Sequence, residues 1–344
     1  REWIHQQWDR HNEDTTAPNK WSIQDVRRVL KDLPGLIRGP AGHFPNTLHV
    51  CCPFHYHTLL LRTFGDRDVF QKCPSGPSTI LDNLRQDWTQ MPLQTRRRYN
   101  WAFSWNHPLP KARILPKGSK LFLKARPIIA YCGCWAVKLA VFLASALDQL
   151  TQSVFPPDTS MHREEAWTMI QQDLVGFFNS IPHYLILDAV LYTVHVTSAQ
   201  SKEAYEEQCL QVACRQDRPT RMFRGRTRFA ASAMKPLHLQ DIHALVQFLL
   251  HRSYFTVGHQ SYLQTQGASM GSPLAPVVRS LVAASRESLL MTSFRTQLQD
   301  RKLSQGYRYA DNRVFFLPTE TLQDPWARVL LSLTFYEEPI ILEN

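Results

Sequence analysis

The sequence predicts an α+β protein in which an antiparallel sheet carries helices on one face. Three observations lead there. Along the second half of the chain, segments follow the order strand, helix, long excursion, helix, hairpin, helix, strand. Apolar residues recur at helical spacing over 238–251, where Leu239, Ile242, Leu245, Val246, Leu249 and Leu250 share one face. Tyr309-Ala310-Asp311-Asn312, between Tyr307-Arg308 and Arg313-Val314-Phe315-Phe316, reads as a β-hairpin with an acidic tip.

The elements follow in order. Ser22 with Asp25 three residues on resembles a helix N-cap and opens a helix to about residue 33. Pro34, Gly35, Gly39, Pro40 and Gly42 read as loop, 48–52 as a short strand and 55–63 as a helix. Residues 74–80, with Pro74, Gly76 and Pro77, form a turn-rich connector. Residues 112–115 and 121–123 read as strands around a basic turn at Pro116-Lys117-Gly118, the second continuing through Arg126 to Ile129. A long helix starts near Trp135 and ends before Pro156. Residues 166–173 form a strand ending in Asp173, and 183–194 a helix. A small hairpin surrounds Gly258, and a helix covers 273–291. After the acidic hairpin, 321–334 reads as helix and 339–342 as a final strand.

Composition narrows the partners. The 344 residues, 44% hydrophobic, are enough for a real core and for as many as two lobes. Lys and Arg number 39 against 29 Asp and Glu, a net charge of +10 that favours a polyanion, most commonly nucleic acid. A merely basic protein is the alternative. No run of about 18 apolar residues points to a membrane span, and no secretory leader is expected. The start at Arg1 reads as a fragment. Seven cysteines without framework spacing suit a reducing, intracellular setting; for a eukaryotic source a nuclear location is expected over a cytoplasmic one. Cys51, Cys52, His55 and His57 invite a zinc reading, but no second ligand pair follows, and a strand entering a turn at Pro53 is the favoured account of them.

Certain residues carry chemistry. Two-metal phosphoryl transfer needs two carboxylates converging on cations about 3.5–4 Å apart. Asp173 and Asp311 are the candidates, with Asn312 either a further oxygen donor or a plain turn residue. Oxygen ligands suit Mg²⁺, or Mn²⁺ in its place. Lys117 and Arg126 would meet a triphosphate, although either could be a surface cation. Gln266-Gly267 lets the backbone approach a nucleotide. Phe178, unless it is only core, lies where a flat ring excludes a 2′-hydroxyl. Arg96, Arg97 and Arg98 beside Tyr99, Trp101 and Trp105 combine cations with stacking rings, or else form a solvated helix face. Arg224, Arg226 and Arg228 belong to a second basic stretch.

These blocks resemble reverse transcriptases. Asp173-Leu-Val-Gly-Phe-Phe178-Asn-Ser-Ile181 is similar to motif A, Gln266-Gly-Ala-Ser-Met270-Gly-Ser-Pro-Leu-Ala-Pro276 to motif B, and Tyr309-Ala-Asp-Asn312 to motif C. Leu115-Pro-Lys117 and Arg126-Pro-Ile128 resemble the two fingers motifs, and 335–343 sits where motif D ends. The wording is closest to Penelope-like and other non-viral retroelement enzymes, with telomerase more distant. The resemblance implies right-hand polymerase fingers and palm, with RNA template, DNA primer and deoxynucleoside triphosphates as partners. It divides the chain into an N-terminal extension (1–108), fingers (109–160), first palm part (161–195), a helical basic insertion (196–256) and second palm part (257–344), ending before any recognisable thumb. Asn312 departs from the family's second Asp, a departure shared by some active negative-strand viral RNA polymerases. A catalytically weakened nucleic-acid-binding relic is therefore the rival expectation. An RNA-dependent RNA polymerase is a weaker one, opposed by Phe178.

Overall fold

The computed structural model describes residues 28, 31, 35–41, 44–116, 124–155, 167–174, 179, 181–201, 205–213, 234–293, 305–309, 312–318 and 342–343. The chain divides into two compact units, Arg1–Leu61 with Leu115–Ala125, and Arg62–Ile114 with Arg126–Asn344. Strands β1 (Ile37–Ala41) and β2 (Phe44–Cys51) pair antiparallel in the smaller unit, with a register shift between Pro40 and Ala41. The sequence had favoured a loop here because of Gly39 and Pro40. In a two-stranded pair every strand is an edge, and an edge next to a bulge tolerates proline's missing N–H. Helix α1 (Pro53–Phe64) follows.

The larger unit opens with β3 (Phe70–Cys73), α2 (Pro77–Thr89) and α3 (Leu93–Tyr99). Pro77 stands in the first turn of α2, where its absent N–H costs nothing. Ile80, Leu84 and Trp88, four apart, form the buried face of that helix, which the turn-rich reading of 74–80 had missed. Then come β4 (Lys111–Pro116), β5 (Ala125–Ala130), α4 (Val137–Val154), β6 (Trp167–Leu174) and α5 (His183–Ala199). Next are β7 (Cys209–Ala213), β8 (Met234–His238), α6 (Leu239–His251), β9 (Tyr254–Val257), β10 (Gln260–Gln264) and α7 (Leu274–Ser293). Strands β11 (Gln305–Tyr309), β12 (Asn312–Pro318) and β13 (Leu342–Glu343) close the order.

Two larger sheets organise these strands. One is mixed, in the order β3-β10-β9-β4-β5, with β9 and β4 parallel. Phe64, Phe70, Phe255 and Tyr262 cluster there with ring centroids 5.2–6.1 Å apart. The other, β11-β12-β6-β13, is antiparallel throughout. Helix α7 packs on α4 and α5, and α5 on α6, giving the helical layer. Leu139, Leu143, Leu147 and Leu150 line the buried face of α4. Thr193 and Thr197 sit buried in α5 because each hydroxyl donates to the carbonyl four residues earlier, at 2.8 Å. The α+β class is confirmed. The span 196–256, expected to be helical, also holds the antiparallel pair β7–β8, whose partners lie 21 to 29 residues apart in sequence. Of the expected helix over 22–33, Arg28 and Lys31 are described and helical; 121–123 and 321–334 lie outside the described residues. No described helix is long and apolar enough to cross a membrane.

A buried polar node ties α3 to α6. Asp241, in the first turn of α6, accepts hydrogen bonds from Thr95 Oγ1 and Arg98 Nη1, both at 2.9 Å. The Tyr99 hydroxyl accepts the His238 backbone N–H at 3.0 Å. Burial, then the neighbouring Asp241 carboxylate, raises the Tyr99 pKa strongly, so the phenol stays neutral and bonds Asp241. Removing one partner of such a node leaves the others buried without compensation. Asp241→Ala is expected to lose about 3 kcal/mol of stability, and Asp241→Asn less, in urea denaturation. Equal midpoints for Asp241→Ala and wild type would show that the node contributes nothing.

Candidate active site

Asp173 is the penultimate residue of β6, and Asn312 the first of β12. The two strands run antiparallel with Asn312 directly opposite Asp173 and Pro318 opposite Trp167. Directly opposed residues in such a pair have Cα atoms about 4.5–5.5 Å apart. Tyr309 pairs with Asn312 in turn, joining β11 to β12. The strand end carrying Asp173 and the hairpin strand carrying Asn312 therefore share one rung of one sheet. Asp311 itself, with Lys117, Phe178, Arg224, Arg226 and Arg228, lies outside the described residues.

One rung away stands a pair that sequence reasoning passed over as flanking residues. Arg313 lies opposite Gln172, and the two are 2% and 1% exposed. Arg313 Nε donates to Gln172 Oε1 at 2.8 Å, and Nη2 donates to the same oxygen. Guanidinium stays protonated whatever its surroundings, so this is a permanent cation beside the acidic hairpin. The available signal was parity: Arg313 falls on the same face of its strand as Phe315 and Leu317.

The loop between β10 and α7 is strapped to three neighbours. Gly267, at φ 71°, donates its N–H to Ile181 O at 2.7 Å, and its carbonyl meets His183 Nε2 at 3.1 Å. Both backbone groups of Gly267 are thus bound by the segment that follows Asp173. Thr265 N–H donates to Val69 O, and Met270 O accepts the Ile129 N–H of β5 at 2.6 Å. Gln264 braces the loop from below, donating to Gln266 O and accepting from Ser269 Oγ, each at 2.7 Å. Gly271 has φ 105°, and a Cβ there would lie 2.5 Å from Ile129 O. The sequence attributed the glycines to nucleotide approach; at Gly271 the neighbour is the protein's own backbone. Ser272 Oγ accepts the Leu274 N–H at 3.3 Å and caps α7.

Gln266 is half-buried in this loop, and Arg126 is half-buried on β5, three residues before Ile129. Arg126 has no ion pair among the described residues. The arginines of α3 divide: Arg98 is committed to Asp241, Arg96 Nε donates to Met91 O at 3.0 Å, and Arg97 is exposed. Cys51 ends β2 while His55 and His57 lie in α1, and no group of three metal-ligating side chains occurs among the described residues.

His183 is neutral at physiological pH. Burial, then the His251 ring stacked 5.7 Å away, lowers its pKa to about 4, and the hydrogen bond to Gly267 offsets this in part. A carbonyl can only accept, so Nε2 carries the proton. Because the unfolded imidazole binds a proton near pH 6.5, stability is fully present above that value and is lost as pH falls towards 4. The loss amounts to about 3 kcal/mol at most. Melting temperature is expected to fall more steeply between these limits in wild type than in His183→Gln, which keeps a donor for Gly267. Parallel pH profiles would contradict that assignment. Gly271→Ala is expected to cost more than 2 kcal/mol, roughly, in chemical denaturation. Gly258→Ala, at φ 60° with open space around it, should cost about 1 kcal/mol. Equal penalties would remove the case for a backbone clash at Gly271.

No protein-family profile matches the sequence, and no curated protein matches it. Solved structures do. Telomerase from Candida albicans in complex with the TWJ fragment of telomeric RNA is similar at TM-score 0.55 and 9% identity, over 93% of this chain and 51% of that one. Apo telomerase from Candida tropicalis gives TM-score 0.58 at 9% identity, over 92% and 52%. Telomerase from Candida tropicalis with the TWJ fragment gives 0.56 at 9%, over 95% and 51%. The chain spans about half the length of those telomerase chains. At such identity the likeness speaks for the fold: a reverse-transcriptase-like arrangement of fingers and palm.

Proposed function

We infer that this protein is an RNA-directed DNA polymerase of retroelement origin, adding deoxynucleoside triphosphates to a primer 3′-hydroxyl on an RNA template. The observation that carries the reading is the Asn312–Asp173 rung, which joins the motif A strand to the motif C hairpin in one antiparallel sheet. The strapped loop at Gly267 adds motif B to the same neighbourhood through Ile181. Telomeric RNA accompanies two of the similar telomerases, which supports an RNA partner.

The donor set fits Mg²⁺ or Mn²⁺. Asp173 and Asn312 bring oxygen donors to one rung, with Asp311 next in the chain, and these would hold the cations. Bound cations would lower the pKa of the attacking hydroxyl and balance charge on the departing pyrophosphate. Arg126 and Lys117 would hold the triphosphate by charge-assisted hydrogen bonds. Gln266 and Gly267 would seat the incoming nucleotide against its template base, and Phe178 would exclude a ribose 2′-hydroxyl.

A second reading rests on charge. Asn312 supplies an oxygen without a negative charge, and buried Arg313 adds a positive one beside it. Both weaken attraction for a divalent cation, so a nucleic-acid-binding protein with little catalysis is the alternative. Primer extension on an RNA template, with Mg²⁺ and with Mn²⁺, separates the two. Extension is expected in wild type, a loss of about 100-fold or more in Asp173→Ala, and a gain in Asn312→Asp at lower metal concentration. Salt-dependent RNA binding without extension in wild type and in Asn312→Asp would favour the second reading.

A further inference from the structure

We propose that a hollow between α2 and the turn after α3 is a docking site for one unstacked base of a single-stranded nucleic acid. It does not depend on the chemistry at Asp173. The hollow measures roughly 430 Å³ and is lined by Arg85, Phe103, Ser104, Trp105, Asn106 and His107. All belong to the larger unit.

Its floor is aromatic and flat. The Phe103 and Trp105 rings stack at 4.9 Å and 12°, Trp105 and Trp135 at 5.2 Å and 18°, and Phe103 and Trp135 at 5.7 Å and 11°. Phe103 and Trp135 are buried, whereas Trp105 is half-exposed. Trp88 and Phe248 hold Phe103 from behind, at 4.4 and 5.9 Å. The turn is also fixed by backbone bonds. Ser104 N–H donates to Trp135 O, Trp135 N–H to Pro108 O, and His107 N–H to Ser104 O, at 2.8, 3.3 and 2.8 Å. Little ordering is left to occur on binding, which lowers the entropic cost of docking.

The rim supplies what a nucleotide needs beyond a stacking surface. Arg85 is exposed, with its Cζ 6.0 Å from the Trp105 ring centroid, at the outer limit of a cation–π contact. Neither ion pair among the described residues, Arg98–Asp241 or Arg252–Asp87, involves Arg85. Its guanidinium can turn to a phosphate without breaking a stronger bond. The Asn106 amide and Ser104 hydroxyl each donate and accept, as reading a base edge requires. No carboxylate lines the hollow, so an anionic phosphate meets no like charge there. A half-exposed ring, a cation without an ion pair among the described residues and an amide together form a stacking platform for single strands.

The test uses a short, unstructured, fluorescent oligouridylate and the purified protein, read by anisotropy. Arg85→Glu and Trp105→Ala are each expected to weaken binding about tenfold, and Trp105→Phe less, since a ring remains. An oligonucleotide carrying 5-iodouridine, photo-crosslinked and mapped by mass spectrometry, should mark residues 99–111. Trp105→Ala removes part of a packed cluster; if it fails to fold, surface residue Arg85 and the crosslink decide. Affinity within twofold of wild type for Arg85→Glu, with no crosslink in 99–111, overturns the proposal. Full displacement by equimolar uridine monophosphate overturns the strand in favour of a free nucleotide. Primer extension is not read, so failure of the polymerase assignment leaves this outcome untouched.

Discussion

The ladder between β6 and β12 fixes everything that follows from the two acidic segments. They are separated by more than 130 residues, and no local preference could bring them together. Backbone pairing from Asn312–Asp173 to Pro318–Trp167 does so over seven consecutive rungs, and β11 and β13 extend the sheet on either side. An antiparallel pair alternates faces with period two, so this alignment decides which residues can cooperate and which are hidden. Gln172 and Arg313 are hidden.

Around that ladder the fold spends hydrogen bonds on loop geometry. The segment from Thr265 to Ser272 bonds the turn before β3, strand β5 and the chain after β6, and a neutral His183 completes the set. Such a loop resists rearrangement, because shifting it would break bonds on three sides at once. The glycines serve this arrangement: Gly267 adopts a positive φ, and Gly271 permits an approach to Ile129 that any side chain would block. Preorganised backbone of this kind is what positions a substrate without further ordering.

Much of the fold was legible in the sequence where one physical signal dominated. Helix α6 declared itself through apolar spacing, α4 through an apolar run from Trp135, α5 through the turn that precedes it, and β9–β10 through two short segments around Gly258. Strand β6 and the β11–β12 hairpin were visible as well. Where signals conflicted, reading failed. Gly39 and Pro40 masked β1, and Pro74, Gly76 and Pro77 drew attention from the Ile80, Leu84, Trp88 stripe of α2. Strands β7 and β8 each depend on a distant partner. At the site, the meeting of Asp173 with the hairpin could be anticipated from their positions at strand ends. The Arg313–Gln172 bond, the Asp241 node and the Phe103–Trp105–Trp135 group could not, because each is defined by contacts between distant segments. Arg98 shows the cost: in sequence it belongs with Arg96 and Arg97, yet in space it belongs to Asp241.

Arg313 has one more consequence, for errors of alignment. Sliding β12 along β6 by a single position would separate its guanidinium from Gln172 and carry a permanent charge to the other side of the sheet. Slippage that an all-valine strand would tolerate is therefore penalised here by leaving the buried Gln172 oxygen without the two N–H groups it accepts in this register. The buried arginine acts as a pawl: it lets the two strands engage in one frame and rejects the adjacent ones. Insertions or deletions within β12 should accordingly be excluded over evolutionary time.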